Sequence, residues 1–76
     1  MKRQVEEEIT RDQIEETIDK YIVLHLNAER NREILKRRLI DGRTHEQLAQ
    51  EFGLAVQTIQ QVLYKYEPVI FNHLRK

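Results

Sequence analysis

Residues 44–64 read THEQLAQEFGLAVQTIQQVLY, and their order decides the fold. Thr44 is a good helix N-cap, and Gln47 stands where its side chain can reach back to the cap amide, closing a capping box. Leu48, Ala49 and Phe52 then fall on one side of a short helix, with Ala49 small enough for a second helix to cross close above it. Gly53 supplies the positive-φ residue that stops this helix and turns the chain. Beyond it, Ile59, Val62, Leu63 and Tyr66 recur at i, i+3, i+4 and i+7, which predicts a second helix from Val56 to Tyr66 with one face packed inward.

The same period turns Gln57, Gln61 and Tyr64 away from that packed face, with Gln60 and Lys65 at its flanks. Two helices joined by a glycine corner, the second presenting polar side chains, form the helix-turn-helix arrangement that lays a reading helix in the major groove of duplex DNA. The pattern is also that of a plain helical hairpin with solvated glutamines.

Working outward, 76 residues suffice for one domain with a modest core. No cysteine is present, so neither a disulfide framework nor a thiolate zinc site is available. No apolar run approaches the roughly 20 residues that span a bilayer, and MKRQVEEEIT does not resemble a signal peptide. The expectation is a cytoplasmic protein with no membrane partner. Net charge is zero, but its distribution is uneven. Residues 1–26 hold four basic and seven acidic side chains, net −3, whereas residues 27–76 hold nine basic and six acidic, net +3. Such asymmetry fits an acidic first helix held away from DNA and a basic half facing it.

On the N-terminal side, Thr10 and Gln13 make a second capping-box pattern, followed by Ile14, Ile18, Tyr21, Ile22, His25 and Leu26 at helical spacing. This predicts a long first helix running to about residue 26. Val23 and Leu24 widen its stripe enough to allow a homodimer joined through this helix. Asn27 is expected to cap a helix from about Ala28 to Ile40, with Ile34, Leu35 and Leu39 inward and Asp41-Gly42 ending it. Arg30, Arg32, Lys36, Arg37, Arg38 and Arg43 concentrate there, where such residues can neutralise phosphates without reading sequence. On the C-terminal side, Tyr66-Glu67-Pro68 predicts a break, then a last short helix in which Val69, Ile70, Phe71 and Leu74 close the core. The expected fold is all-α: a small bundle of about five helices, with an acidic helix over 1–26, the helix-turn-helix unit over 27–66 and a short helix over 67–76.

Catalytic chemistry finds no support. There is no glycine-rich phosphate loop, no serine or cysteine nucleophile and no clustered metal ligands, and His25, His45 and His73 are isolated from one another. We expect no enzyme activity, cofactor or metal. His45 and His73 are expected at the surface, and His25 at the edge of the core.

With these residues in place, the segment Leu26 to Tyr66 resembles region four, the C-terminal promoter-reading domain, of bacterial RNA polymerase sigma factors. The likeness lies in Arg32-Glu33-Ile34-Leu35, Asp41-Gly42-Arg43-Thr44, Glu46-Gln47-Leu48-Ala49, Phe52-Gly53-Leu54 and Thr58-Ile59, in that order. It covers about half the chain. It implies a compact helical domain that binds a −35 promoter element and also touches RNA polymerase. The chain departs from that family at Ala55, where a Ser or Thr cap is common, and at Val56, Thr58 and Gln60, where arginines are common. The glutamines left in their place pair more naturally with adenine than with guanine. The earlier promoter-melting regions of a sigma factor are not in this sequence.

The expectation is a small regulator, from a phage, plasmid or other mobile element, that binds double-stranded DNA. Val56, Gln57, Gln60, Gln61 and Tyr64 are the candidate base readers, and Arg32, Arg37, Arg38, Arg43, Thr44 and Lys65 the candidate phosphate contacts. The competing expectation is an interaction module that binds RNA polymerase or another regulator without binding DNA.

Overall fold

A computed structural model describes residues 9–23 and 26–74. Its elements are α1 (Arg11–Tyr21), α2 (Ala28–Leu39), α3 (His45–Phe52) and α4 (Val56–Leu74). The fold is all-α, with four helices among the described residues instead of about five. α1 lies across α2 and α4, while α2, α3 and α4 pack on one another as a three-helix unit. One apolar cluster joins them: Ile18 and Ile22 from the α1 end, Ile34 and Leu35 from α2, Leu48 and Ala49 from α3, and Ile59, Val62, Leu63 and Ile70 from α4. Each fully buried Ile or Leu contributes about 1.5–3 kcal/mol, and this small chain has few other sources of stability.

Both capping boxes form. The Thr10 hydroxyl accepts from the Gln13 amide at 3.1 Å while Gln13 Oε1 accepts from the Thr10 amide at 3.0 Å. Thr44 and Gln47 repeat the arrangement at 2.9 and 3.1 Å. The expected cap at Asn27 does not form: Asn27 occupies the boundary position, but at φ 65° and ψ 23° its side chain caps nothing. A capping side chain needs an extended backbone to reach the first-turn amides, and the left-handed conformation, which asparagine tolerates, points it elsewhere.

α1 is shorter than its apolar stripe suggested. It stops at Tyr21, and the amide of the fully buried Ile22 donates to the Ile18 carbonyl at 3.0 Å. Leu26 lies outside the helix and is 86% exposed. His25 and Leu24 lie outside the described residues, as do residues 1–8, so the expectations placed on them find no counterpart here.

The expected break at Pro68 is absent, because α4 runs through it to Leu74. Proline removes the amide that would bond the Tyr64 carbonyl, at a cost of about 3 kcal/mol in an ordinary helix interior. Here Tyr64 and Pro68 are both exposed, on the side of α4 away from the core, where water can satisfy that carbonyl. Continuing the helix buries Ile70 completely and stacks His73 on Tyr21 of α1, ring centroids 3.6 Å apart and planes within 6°. These contacts favour continuity over the local signal. One unbroken helix also keeps one phase, so the inward edge passes through Ile59, Leu63, Tyr66 and Ile70 and leaves Val69 and Phe71 exposed. Their expected place in the core is corrected accordingly.

Gly53 makes the corner between α3 and α4. At φ 66° and ψ 35° its amide donates to the Ala49 carbonyl, and the Leu54 amide donates to the same oxygen at 2.9 Å. An added Cβ would meet nothing within 4 Å, so the demand for glycine comes from the backbone alone. Gly53→Ala should therefore lower the unfolding free energy by about 1–2 kcal/mol, and Gly53→Asn by less, because only the left-handed backbone penalty is at stake. Equal losses in urea melts of the two variants would contradict this reading.

Candidate nucleic-acid interface

The Gly53 corner sets α4 so that its inward edge is docked and its opposite edge is open. Gln57 and Gln61 are exposed, and Tyr64 is 69% exposed, so three of the five candidate base readers share one open face. Val56 is half-buried against the core. Gln60 is also half-buried, with its Nε2 3.4 Å from Nδ1 of His45 at the start of α3. His45 is thus engaged across the corner instead of lying loose on the surface, and His73 is held in its ring stack. α4 begins without a side-chain cap. The Ala55 carbonyl accepts from the Ile59 amide at 3.2 Å, but the alanine methyl offers the first-turn amides no acceptor. Those donors lie at the end of the helix whose dipole favours an anion.

The candidate phosphate contacts divide into two groups. Arg32 donates to the Ile22 carbonyl at 2.8 Å and stands 3.8 Å from Asp19. Arg37 pairs with Glu33 of its own helix at 2.7 Å and with Glu51 of α3 at 2.6 Å, and it lies over the Phe52 ring at 5.3 Å. The Glu33 hydrogen bond, followed by the charge of Glu51, holds the Arg37 pKa above its ordinary value despite partial burial. Both arginines are committed to the scaffold: Arg32 ties α2 to the α1 end, and Arg37 ties α2 to α3. Lys36 behaves likewise, 2.9 Å from Asp19 of α1.

Arg38, Arg43, Thr44 and Lys65 form the second group. Arg38 Nη1 donates to the Arg43 carbonyl at 2.8 Å and has no carboxylate partner among the described residues. Arg43 is exposed and only loosely paired, 3.5 Å from Glu51. The Thr44 hydroxyl serves the capping box, and exposed Lys65 places its Nζ 5.3 Å from the Tyr66 ring centre. Arg30, one of the six basic residues concentrated around α2 but not among the candidate phosphate contacts, belongs with this group. Its Nε and Nη2 donate to Asn31 Oδ1 at 3.1 and 3.0 Å, and no carboxylate among the described residues neutralises it. Helical spacing held the signal: Glu33 precedes Arg37 by four residues, the orientation that favours pairing, and is therefore drawn away from Arg30.

Among the described residues no group of acidic, histidine or cysteine side chains is placed to hold a metal ion, and no helix is long and apolar enough to cross a membrane. No family model matches the chain, and no curated protein or solved structure is significantly similar to it.

The two groups of cations predict different phenotypes. Arg37→Ala should lower the melting temperature by the equivalent of about 1–2 kcal/mol, since it removes two partly exposed pairs worth under about 1 kcal/mol each together with packing on Phe52. Arg38→Ala should leave the melting temperature nearly unchanged. Thermal melts that ranked the two variants in the opposite order would contradict this division.

Proposed function

We propose that this protein is a sequence-specific double-stranded DNA-binding regulator, built like region four of a sigma factor and carried by a phage, plasmid or conjugative element. The observation that carries the reading is the bare face of Gln57, Gln61 and Tyr64 immediately beyond a tight helix-helix corner. In the major groove, glutamine can bond the N6 and N7 edge of adenine bidentately, and the tyrosine ring can pack against a thymine methyl. The uncapped start of α4, with Arg38, Arg43 and Thr44 near the start of α3, supplies donors for the sugar-phosphate backbone. Arg32 and Arg37 support this surface by fixing α2, and RNA polymerase remains the protein partner that the sigma-like pattern implies.

A specific observation favours a competing reading. Arg32, Lys36, Arg37 and Arg43 all stand within 4 Å of a carboxylate, which reduces the field available to DNA and suits a module that binds RNA polymerase or another regulator instead.

Selection of bound duplexes from a random pool separates the two. The DNA-binding reading predicts an enriched site, steep salt dependence, and a change in preference of about 1–3 kcal/mol at a single base pair for Gln57→Ala or Gln61→Ala. Glutamine variants that lost affinity equally for every sequence would remove α4 from the groove. Failure of the wild-type chain to bind any duplex at low salt would leave the interaction module.

A further inference from the structure

A cleft of about 340 Å³ opens between the start of α2 and the flank of α4. Its polar lining comes from Arg30 and Asn31 on one side and Thr58, Gln61 and Lys65 on the other, above an apolar wall that includes Val62. Among the described residues no acidic side chain lines it. Its described cations, Arg30 and Lys65, have no carboxylate partner among the described residues. Asn31 is only 5% exposed, yet its Nδ2 has no partner among the described residues, while its Oδ1 accepts both bonds from Arg30. A buried amide donor with no acceptor is uncommon, because leaving it unsatisfied costs about 1–3 kcal/mol. Beside two cations that no described carboxylate neutralises, an acceptor for this amide would have the character of an anion.

We infer that the Arg30, Asn31 and Lys65 cleft is a seat for a phosphate group, occupied by a phosphodiester of the duplex backbone when α4 lies in the groove. The inference rests on the DNA-binding reading and extends it. At 3.6 residues per turn, Gln60 lies on the flank of α4 that meets the start of α3, whereas Thr58 and Lys65 lie on the opposite flank. Arg43 and Thr44 would therefore stand beside one strand of the groove, and Arg30 and Lys65 beside the other. Gln61 belongs both to the open face and to the cleft, which couples the seat to base reading. In the seat, the Arg30 edge left over from Asn31, the Lys65 ammonium and the Asn31 amide all donate to phosphate oxygens, bonds strengthened by the ionic charges.

The test compares wild type with R30Q, K65Q and N31D in anisotropy titrations of a short labelled duplex across a salt series, with thermal melts of each variant. N31D retains an acceptor for Arg30, removes the amide donor and places a carboxylate in the seat, so it disables the seat without opening a hole in the core. The expected result is that R30Q and K65Q each reduce the slope of log Kd against log salt by about one and weaken all sequences alike, with N31D doing the same and melting no lower than wild type. Unchanged slopes in variants of a wild type that does bind duplex would overturn the seat and leave the DNA-binding reading standing. A wild type that binds no duplex would overturn both. Inorganic phosphate supplies the remaining arm. If it shifted the Asn31 side-chain amide resonance saturably while R30Q left the duplex slope unchanged, the occupant would be a free phosphate and the backbone assignment would fail.

Discussion

The burial of one edge of α4 is the constraint on which the other features rest. Ile59, Leu63 and Ile70 reach almost complete burial along that edge, and each of the other three helices packs against it. Turning α4 about its axis by one residue would carry these side chains toward solvent and bring polar ones into the core, at a cost of several kcal/mol on the scale of about 1.5–3 kcal/mol for each large apolar side chain. The inward phase is therefore fixed, and so is the outward one. Gln57, Gln61 and Tyr64 are displayed together because nothing on their side of the helix helps to fold it. Gly53 complements this constraint by setting the angle at which α4 leaves α3.

Charge is divided along the same lines. Asp19 draws in Arg32 and Lys36, and Glu33 and Glu51 draw in Arg37, so the cations at the middle of α2 act as struts between helices. Among the described residues of α2 and α4, the cations without a carboxylate partner lie elsewhere: Arg38 near the loop before α3, Arg30 at the start of α2, and Lys65 on the flank of α4. A chain of zero net charge can thus keep local positive sites, because Asp19, Glu33 and Glu51 are spent on cations at the joints between helices. The acidic face of α1 neutralises one side of α2, and among the described residues the Thr58 and Lys65 flank of α4 meets no carboxylate in the cleft.

Features carried by local chemistry were legible in the sequence. The Thr10 and Thr44 capping boxes, the Gly53 corner and the alternation of Ile59, Val62 and Leu63 with Gln57 and Gln61 depend on residues within a turn or two of each other. Features set by packing between distant segments were not. Pro68 is locally a helix breaker, yet Ile70 and the Tyr21–His73 stack, made with a helix remote in the chain, carry α4 past it. Asn27 has the composition of a cap but the backbone of a turn. That Arg37 is a strut whereas Arg30 meets no carboxylate among the described residues depends on where Glu51 and Asp19 lie in space, and only the spacing of Glu33 to Arg37 hinted at it. Within the candidate site, the open face could be read from the period, while the cleft against α2 required the helices to be placed.

The central claim is that the edge of α4 opposite the core is the surface that meets duplex DNA. Its most direct measurement is a heteronuclear NMR titration of the isotope-labelled chain with a short duplex at low salt, following the glutamine side-chain amides. The account predicts that Gln57 and Gln61 shift first and furthest, while Gln13 in the α1 capping box stays still. Shifts centred on α1, or no shift at Gln57 and Gln61 while the duplex is demonstrably bound, would contradict it.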